Sequence, residues 1–140
     1  MQRAPGPDIR THLGLDRRLC GQPLNVGEGA AEVGFEVLPE MAADERELVH
    51  GGFVFGLADH AAMLAVNDPH VVLGSAEVRF LKPVVVGERL VARAAVEETD
   101  GRRSKVRVEI LRGQEAVMTG SFLCLTLDRH VLDIGGGGKR

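Results

Sequence analysis

The sequence contains no Trp or Tyr, only two Cys, and no strong excess of either charge. A net charge of −3 excludes the basic footprint of a nucleic-acid-binding domain, for which a pI above about 9 is expected. Cys20 and Cys124 have no His at ligand spacing, which argues against a zinc site. The most apolar stretch, 53–66, is interrupted by Asp59 and His60 and is shorter than the roughly 20 residues that cross a bilayer. We therefore expect no nucleic-acid partner, no membrane span and no metal.

What is present indicates a single globular domain. A chain of 140 residues with 44% hydrophobic residues is long enough to bury a core without a disulfide or metal. The polar start, MQRAPGPDIR, does not read as a signal peptide, so we expect a cytoplasmic protein with reduced cysteines. We predict one domain over 1–140, with a core at about 30–127 and flexible ends at 1–8 and 135–140.

Hydrophobic periodicity predicts an α+β fold. The predicted elements are a short helix at 8–13, an irregular segment at 14–29, a strand at 31–38, a loop at 39–49, a helix at 50–67, and antiparallel strands at 71–82, 89–99, 103–112 and 114–127. Asp100-Gly101 is typical of a tight hairpin turn, because both central residues of such a turn need positive φ. The last strand is the most apolar, so we expect it to lie centrally in the sheet.

The predicted long helix is apolar on nearly every side, yet it carries Asp59. One sheet covers only one side of such a helix, so we expect a second copy to cover the rest. Helical spacing places Asp59 on one face with Gly52, Phe55, Gly56, Ala62, Met63 and Val66. Burying a carboxylate there costs several kcal/mol unless it is paired or protonated, and Arg79 is the only cation between 51 and 81. Asp59 is either a functional carboxylate or a structural one bonded to a backbone amide or a partner chain.

The helix opens with His50, Gly51 and Gly52. N–H groups in the first turn have no partner within the helix and lie at its positive end, which suits a polarised carbonyl oxygen. The ordinary alternative is a tight turn between loop and helix. Gly51 and Asp59 are eight residues apart, or about 12 Å along a helix, so one small reacting group cannot touch both in one chain. Antiparallel helices at a dimer interface would bring them together in two composite sites.

These segments resemble a known family. Val49–Asp59, reading VHGGFVFGLAD, together with Arg79–Pro83 and Gly87-Glu88, is similar to the hotdog-fold acyl-CoA thioesterases, in particular their PaaI-like branch. The resemblance covers roughly 30–127. It implies a long central helix wrapped by a curved antiparallel sheet of five or more strands. It also implies homodimers, often paired into homotetramers.

The resemblance further implies hydrolysis of a coenzyme A thioester, with no cofactor besides the coenzyme A of the substrate. The N–H of Gly51 would polarise the thioester carbonyl, and Asp59 of the partner chain would act as general base or nucleophile. Relatives that only sense acyl-CoA have Asn at the position of Asp59, so Asp here favours an enzyme.

Other residues are predicted to support this site. The resemblance assigns supporting roles to His50, Gly52, Asp44 and Ser75. Asp44 stands near the position where PaaI-like enzymes often have Asn or Gln to orient the water, in a loop that reads as one residue longer. For His50 we favour a hydrogen bond between loop and helix. Phe53, Phe55 and Met63 are expected to line an acyl pocket, and Arg79 and Lys82 to meet coenzyme A phosphates, although solvated strand positions are the simpler interpretation of these two cations.

Two other functions compete with hydrolysis. A non-catalytic protein that binds acyl-CoA or another small ligand would share the fold. A hydratase is disfavoured, because the helix lacks a His suitably paired with an acidic residue. His60 points about 100° away from Asp59 and is interpreted as a packing histidine. His130 and Asp133 have no predicted role.

Overall fold

The computed structural model describes residues 8–134, so the segments predicted to be flexible, 1–8 and 135–140, lie outside the described residues except for Asp8. The helices are α1 (Arg17–Cys20) and α2 (Gly51–Val66), and the strands are β1 (Gln22–Gly27), β2 (Ala30–Glu36), β3 (Val71–Phe80), β4 (Arg89–Asp100), β5 (Arg103–Arg112) and β6 (Glu115–Thr126). Short 3-10 turns occupy Pro39–Met41 and Val131–Asp133. The prediction of an α+β hotdog fold is confirmed: one long helix packs against a curved, unclosed antiparallel sheet of six strands.

The strands follow the order β1-β2-β4-β5-β6-β3, which leaves β1 and β3 as the edges. The strongly apolar β6 lies inside the sheet between β5 and β3, one position from the edge rather than at the centre. Alternate residues of the inner strands are buried, as the period of two requires; Val33, Ala92 and Val108 have no exposed surface.

The segment before β2 differs from the prediction. No helix forms at 8–13, because His12 has a φ of 55°, which a right-handed helix does not contain. Asp16 instead caps α1, its carboxylate accepting a hydrogen bond of 2.9 Å from the N–H of Arg18. The segment 14–29, predicted to be irregular, contains β1. Its sequence QPLNVG lacks alternation and includes Pro23, which a strand tolerates at the edge of a sheet.

Helix α2 has well-defined ends, close to the predicted ones. His50 is its N-cap, in an extended conformation with φ −73° and ψ 127°. Asn67 ends it in the left-handed conformation with φ 53°, and its N–H donates to the carbonyl of Met63 at 2.8 Å. The Asn67 side chain also binds the segment before α1, accepting from the N–H of Arg10 at 2.8 Å and donating to the carbonyl of Asp8 at 2.9 Å.

The first half of one side of α2 is only partly covered in this single chain, whereas Ala62 and Met63, further along the same side, are fully buried. Nine of its residues are buried, including Leu57, Ala61 and Leu64. On the face that carries Asp59, Gly52 is exposed, and Phe55, Gly56 and Asp59 are only partly buried. Between residues 8 and 134, α2 and the other helices are too short or too polar to cross a bilayer.

Candidate active site

The first turn of α2 presents free backbone to one side of the fold. Gly51 and Gly52 occupy the positions where helical N–H groups have no acceptor within the helix. The backbone of His50 joins this turn to the preceding loop, its N–H donating to the carbonyl of Met41 at 2.9 Å and its carbonyl accepting from Phe53 at 3.0 Å. The imidazole makes no capping bond, contrary to our expectation, and lies edge-on to the Phe53 ring with centroids 6.1 Å apart.

Asp59 lies two turns further along the same helix. Its Oδ1 is buried and has no hydrogen-bond partner among residues 8–134. Burial disfavours the charged form and raises the pKa of this carboxyl, and the neighbouring His60 opposes that shift only in part. An unpaired carboxylate with a raised pKa is suited to accept a proton near neutral pH.

His60 belongs to another face of α2. It is buried, and its Nδ1 donates a hydrogen bond of 3.0 Å to the carbonyl of Cys20, which links α1 to α2. Burial lowers the pKa of His60, so the imidazole is neutral near pH 7. This histidine holds the fold and does not share the Asp59 face.

The loop before α2 contains Asp44, whose carboxylate bonds to its own loop. Its Oδ1 accepts from the N–H of Arg46 at 3.0 Å and from the N–H of Leu48 at 3.2 Å. Asp44 is exposed, and the loop closes on itself where the N–H of Ala43 donates to the carbonyl of Leu48 at 2.7 Å. One oxygen of Asp44 therefore shapes the loop that leads into α2.

A register shift at Gly74 decides where the side chains of β3 point. Beyond it, Ala76 is paired with the fully buried Phe122, so Ala76 is on the inner face and Ser75 is on the outer face of the sheet. Ser75 lines an outer groove of about 370 Å³ together with Glu77, Arg103 and Lys105. The structure therefore does not bring Ser75 to the face of the sheet that packs on α2.

Arg79 and Lys82, the predicted phosphate-binding cations, are separated by the end of β3. Arg79 is exposed and, like Ser75, points to the outer face, opposite Thr119. Lys82 follows β3, with its Nζ 3.9 Å from a carboxylate oxygen of Glu115. Of the two, Lys82 lies near the start of α2.

The predicted acyl-pocket residues pack within the chain. Met63 is fully buried, and Phe55 stacks on Phe122 with ring centroids 5.6 Å apart. Phe53 is partly buried against the core. None of these three lines the cleft that opens beside Gly51.

That cleft has a volume of about 170 Å³ and a mostly apolar lining. Its lining around Gly51 includes Leu48, Val54, Phe80, Lys82, Val84 and Val117. The Phe80 ring comes closest to the helix start, because a Cβ built on Gly51 would lie 3.7 Å from its Cε1. Sequence reasoning found only Gly51 and Lys82 of this set, since the other residues come from separate strands and loops that only the fold brings together.

Among residues 8–134, no three His, Cys, Asp or Glu side chains converge in a way that would hold a metal ion. The described residues offer helix-start N–H groups beside an apolar cleft, and a carboxylate with one buried oxygen on a partly covered face of α2.

A family model described as the thioesterase superfamily matches residues 47–119, a segment that includes α2 and runs into β6. A solved structure of an uncharacterised protein, PH1136 from Pyrococcus horikoshii, is 53% identical, covers 92% of this chain and 99% of its own, and superposes with a TM-score of 0.91. A mutant form of the phenylacetic acid degradation protein PaaI from Thermus thermophilus is 30% identical, covers 78% of this chain and 95% of its own, and has a TM-score of 0.72.

Curated relatives are longer than this chain. A methylthioribose-1-phosphate isomerase from Aquifex aeolicus is 50% identical over 86% of this chain, but the match spans only 26% of that protein. The transcription factor FapR of Caldanaerobacter subterraneus is 27% identical over 89% of this chain and 62% of its own length. The chain therefore spans about a quarter to three-fifths of these two relatives.

Proposed function

The chain belongs to the thioesterase superfamily, in its PaaI-like branch, and from this premise we propose that it hydrolyses an acyl-CoA at sites shared between two copies of itself. The observation that carries the proposal is the buried carboxylate oxygen of Asp59, which has no partner among the described residues. A structural aspartate is normally satisfied by a nearby donor, whereas a general base needs a free lone pair for water.

A second copy accounts for the surfaces left open in one chain. The Asp59 face of α2 is only partly covered, and the edge strand β3 exposes Ala76 and Phe80. Pairing β3 with β3 of another copy would join the two sheets and cover the β3 edge of each, leaving β1 as the outer edge. The α2 helices would then run antiparallel, so that Asp59 of one copy faces Gly51 of the other. Pairing of dimers into tetramers remains a prediction.

In the proposed reaction, the N–H of Gly51 donates to the thioester carbonyl oxygen and stabilises the negative charge that develops there. Asp59 of the other copy takes a proton from a water molecule, whose oxygen attacks the carbonyl carbon. The tetrahedral intermediate then collapses and breaks the C–S bond, the proton held by Asp59 passes to the departing sulfur, and the carboxylic acid and the thiol of coenzyme A are released. Direct attack by the Asp59 carboxylate, through an anhydride that water cleaves, is the alternative form of the same step.

Binding without catalysis is the second candidate. It is supported by the FapR relative, which is described as a transcription factor rather than an enzyme. The Asp59 carboxylate favours hydrolysis, because a protein that only binds acyl-CoA has no use for an uncompensated buried charge.

The test is hydrolysis of an acyl-CoA panel, followed by detection of the free thiol, for the wild type, Asp59→Asn and Asp59→Ala. We expect turnover by the wild type and a loss of about 10²–10⁴-fold in kcat for both variants. Calorimetry should show that Asp59→Asn still binds the substrate.

Asp100→Asn is the matched control, because it makes the same chemical change at an exposed residue, the last of β4 before the hairpin turn. Binding by the wild type with no turnover across the panel would support the non-catalytic alternative instead.

A further inference from the structure

We propose that the cleft beside Gly51 receives the acyl group and that Phe80 limits the length of the acyl group it accepts. The inference rests on the proposed function and adds a substrate class and a specificity-determining residue to it. It commits the cleft to one occupant, the apolar part of a thioester substrate.

The position of Phe80 follows from the end of β3. Phe80 is the last residue of that strand, and its ring lies against the first turn of α2. A Cβ on Gly51 would be 3.7 Å from Cε1 and 3.8 Å from Cζ of the ring. A carbonyl oxygen that accepts a hydrogen bond from the Gly51 N–H would hold the attached acyl group within reach of Phe80.

The walls of the cleft differ in how far they can move. Val54, Val84 and Val117 are at most 3% exposed and belong to the packed core, so they form a fixed floor. Phe80 is 55% exposed and Leu48 is 39% exposed. A substitution at Phe80 therefore changes the size of the cleft with little loss of core packing.

The volume of the part of the cleft that one chain forms indicates the size of the acyl group. An apolar cavity of about 150 Å³ holds one benzene molecule, and this cleft measures about 170 Å³. Its apolar walls disfavour a charged or strongly hydrated group. The acyl groups that fit are compact and apolar, a single aromatic ring or a short alkyl chain, while a long fatty acyl chain exceeds the cleft.

Phe80→Ala and Phe80→Trp change the cleft in opposite directions. We expect the wild type to have its highest kcat/KM with hexanoyl-CoA or phenylacetyl-CoA, which distinguish an alkyl from an aryl occupant. Phe80→Ala should raise the ratio of kcat/KM for dodecanoyl-CoA over hexanoyl-CoA by about tenfold or more, and Phe80→Trp should favour acetyl-CoA. Circular dichroism and sedimentation velocity establish that both variants fold and assemble like the wild type, because Phe80 lies on the edge strand of the proposed dimer.

Leu81→Ala is the matched control. Leu81 is the next residue, is 46% exposed, and does not line the cleft, so its truncation should leave the ratio unchanged. If both Phe80 variants keep the wild-type ratio within about twofold, the inference is wrong while the proposed function stands. If the wild type hydrolyses no thioester, the proposed function fails. The inference is then tested by the dissociation constants of dodecanoyl-CoA and hexanoyl-CoA. A ratio of these constants that is the same in the wild type and both Phe80 variants overturns the inference.

Discussion

Asp59 keeps a carboxylate oxygen out of water without a hydrogen-bond donor among residues 8–134. Removing a charged carboxylate from water costs free energy, and this cost raises the pKa of Asp59. The burial that destabilises the fold therefore also makes the carboxylate a better proton acceptor. Groups that lower stability in this way are characteristic of functional sites. At Asp59, a cost in folding stability therefore accompanies the proposed chemical role.

The first prediction concerns the stability of Asp59→Asn. A carboxyl whose pKa is raised in the folded state holds its proton longer there than in the unfolded chain, so stability falls as pH rises from the ordinary Asp value of 3.8 through the raised one. Above that range Asp59 is fully ionised, and its destabilising effect on the fold has reached its full size. Thermal melts should show a Tm about 2–5 °C higher for Asp59→Asn at pH 8, and no gain near pH 3.

Asp100→Asn should show no such pH-dependent gain, since Asp100 is exposed. A Tm of Asp59→Asn that is lower than that of the wild type at pH 8 would mean that the ionised carboxylate has a stabilising partner.

The second prediction concerns the pH dependence of hydrolysis. Only the ionised Asp59 accepts a proton from water, so kcat/KM should rise with pH through the raised pKa of this carboxyl and then reach a plateau. The profile should have its inflection above that of an exposed Asp. A rate that does not change between pH 4 and pH 8 would remove Asp59 from the reaction.

Two residues of the proposed site, Asp59 and Gly51, can be singled out from the sequence, and the other residues around them cannot. Asp59 and Gly51 stand out because a charge and a glycine pair break the pattern of an apolar helix. The orientation of Ser75 depends on the register shift at Gly74, which alternation does not reveal. The contact between Phe80 and Gly51 joins residues far apart in the chain, so no spacing rule predicts it.

Among the elements, α2 was predictable because apolar periodicity and a stop at Asn67-Asp68-Pro69 are both strong signals. The four later strands are also predicted by the sequence, three from alternation and the last from its apolar character. β1 has no alternation and contains Pro23, and the short α1 has only its cap Asp16 as a signal. Both depend on packing that their own sequence does not encode.

The third prediction separates the two roles of Asn67 at the end of α2. Asn67→Gly keeps the left-handed backbone but loses the bonds to Asp8 and Arg10, so we expect a loss of about 1 kcal/mol in unfolding free energy. Asn67→Ala should lose about 1–2 kcal/mol more, because Ala pays a steric penalty in that conformation. Urea titration of both variants measures the difference, and equal losses would contradict the account of the helix end.

In the whole molecule, the open β3 edge and the partly covered Asp59 face of α2 both favour pairing with a second copy. The fourth prediction is that Ala76→Asp weakens self-association. Ala76 is an exposed apolar position on the inner side of the edge strand, where a charge would be desolvated on pairing.

Sedimentation velocity should show a dimer or larger assembly for the wild type, and a shift toward the monomer for Ala76→Asp. Glu77→Gln, on the outer face of the same strand, is the control and should assemble normally. A wild type that sediments as a monomer would contradict the shared site.

The most direct test of the shared site is complementation between two inactive variants. Gly51→Pro removes the N–H at the first helical position, where proline is tolerated, and the extended His50 suits a following proline. Asp59→Asn removes the base. Each variant alone should be inactive. When equal amounts of the two are unfolded and refolded together, half of the dimers are mixed, and each mixed dimer holds one intact site out of two. The mixture should therefore regain about a quarter of wild-type activity. Recovery no greater than the sum of the separate variants, with mixed dimers demonstrated, would contradict a site built from two chains.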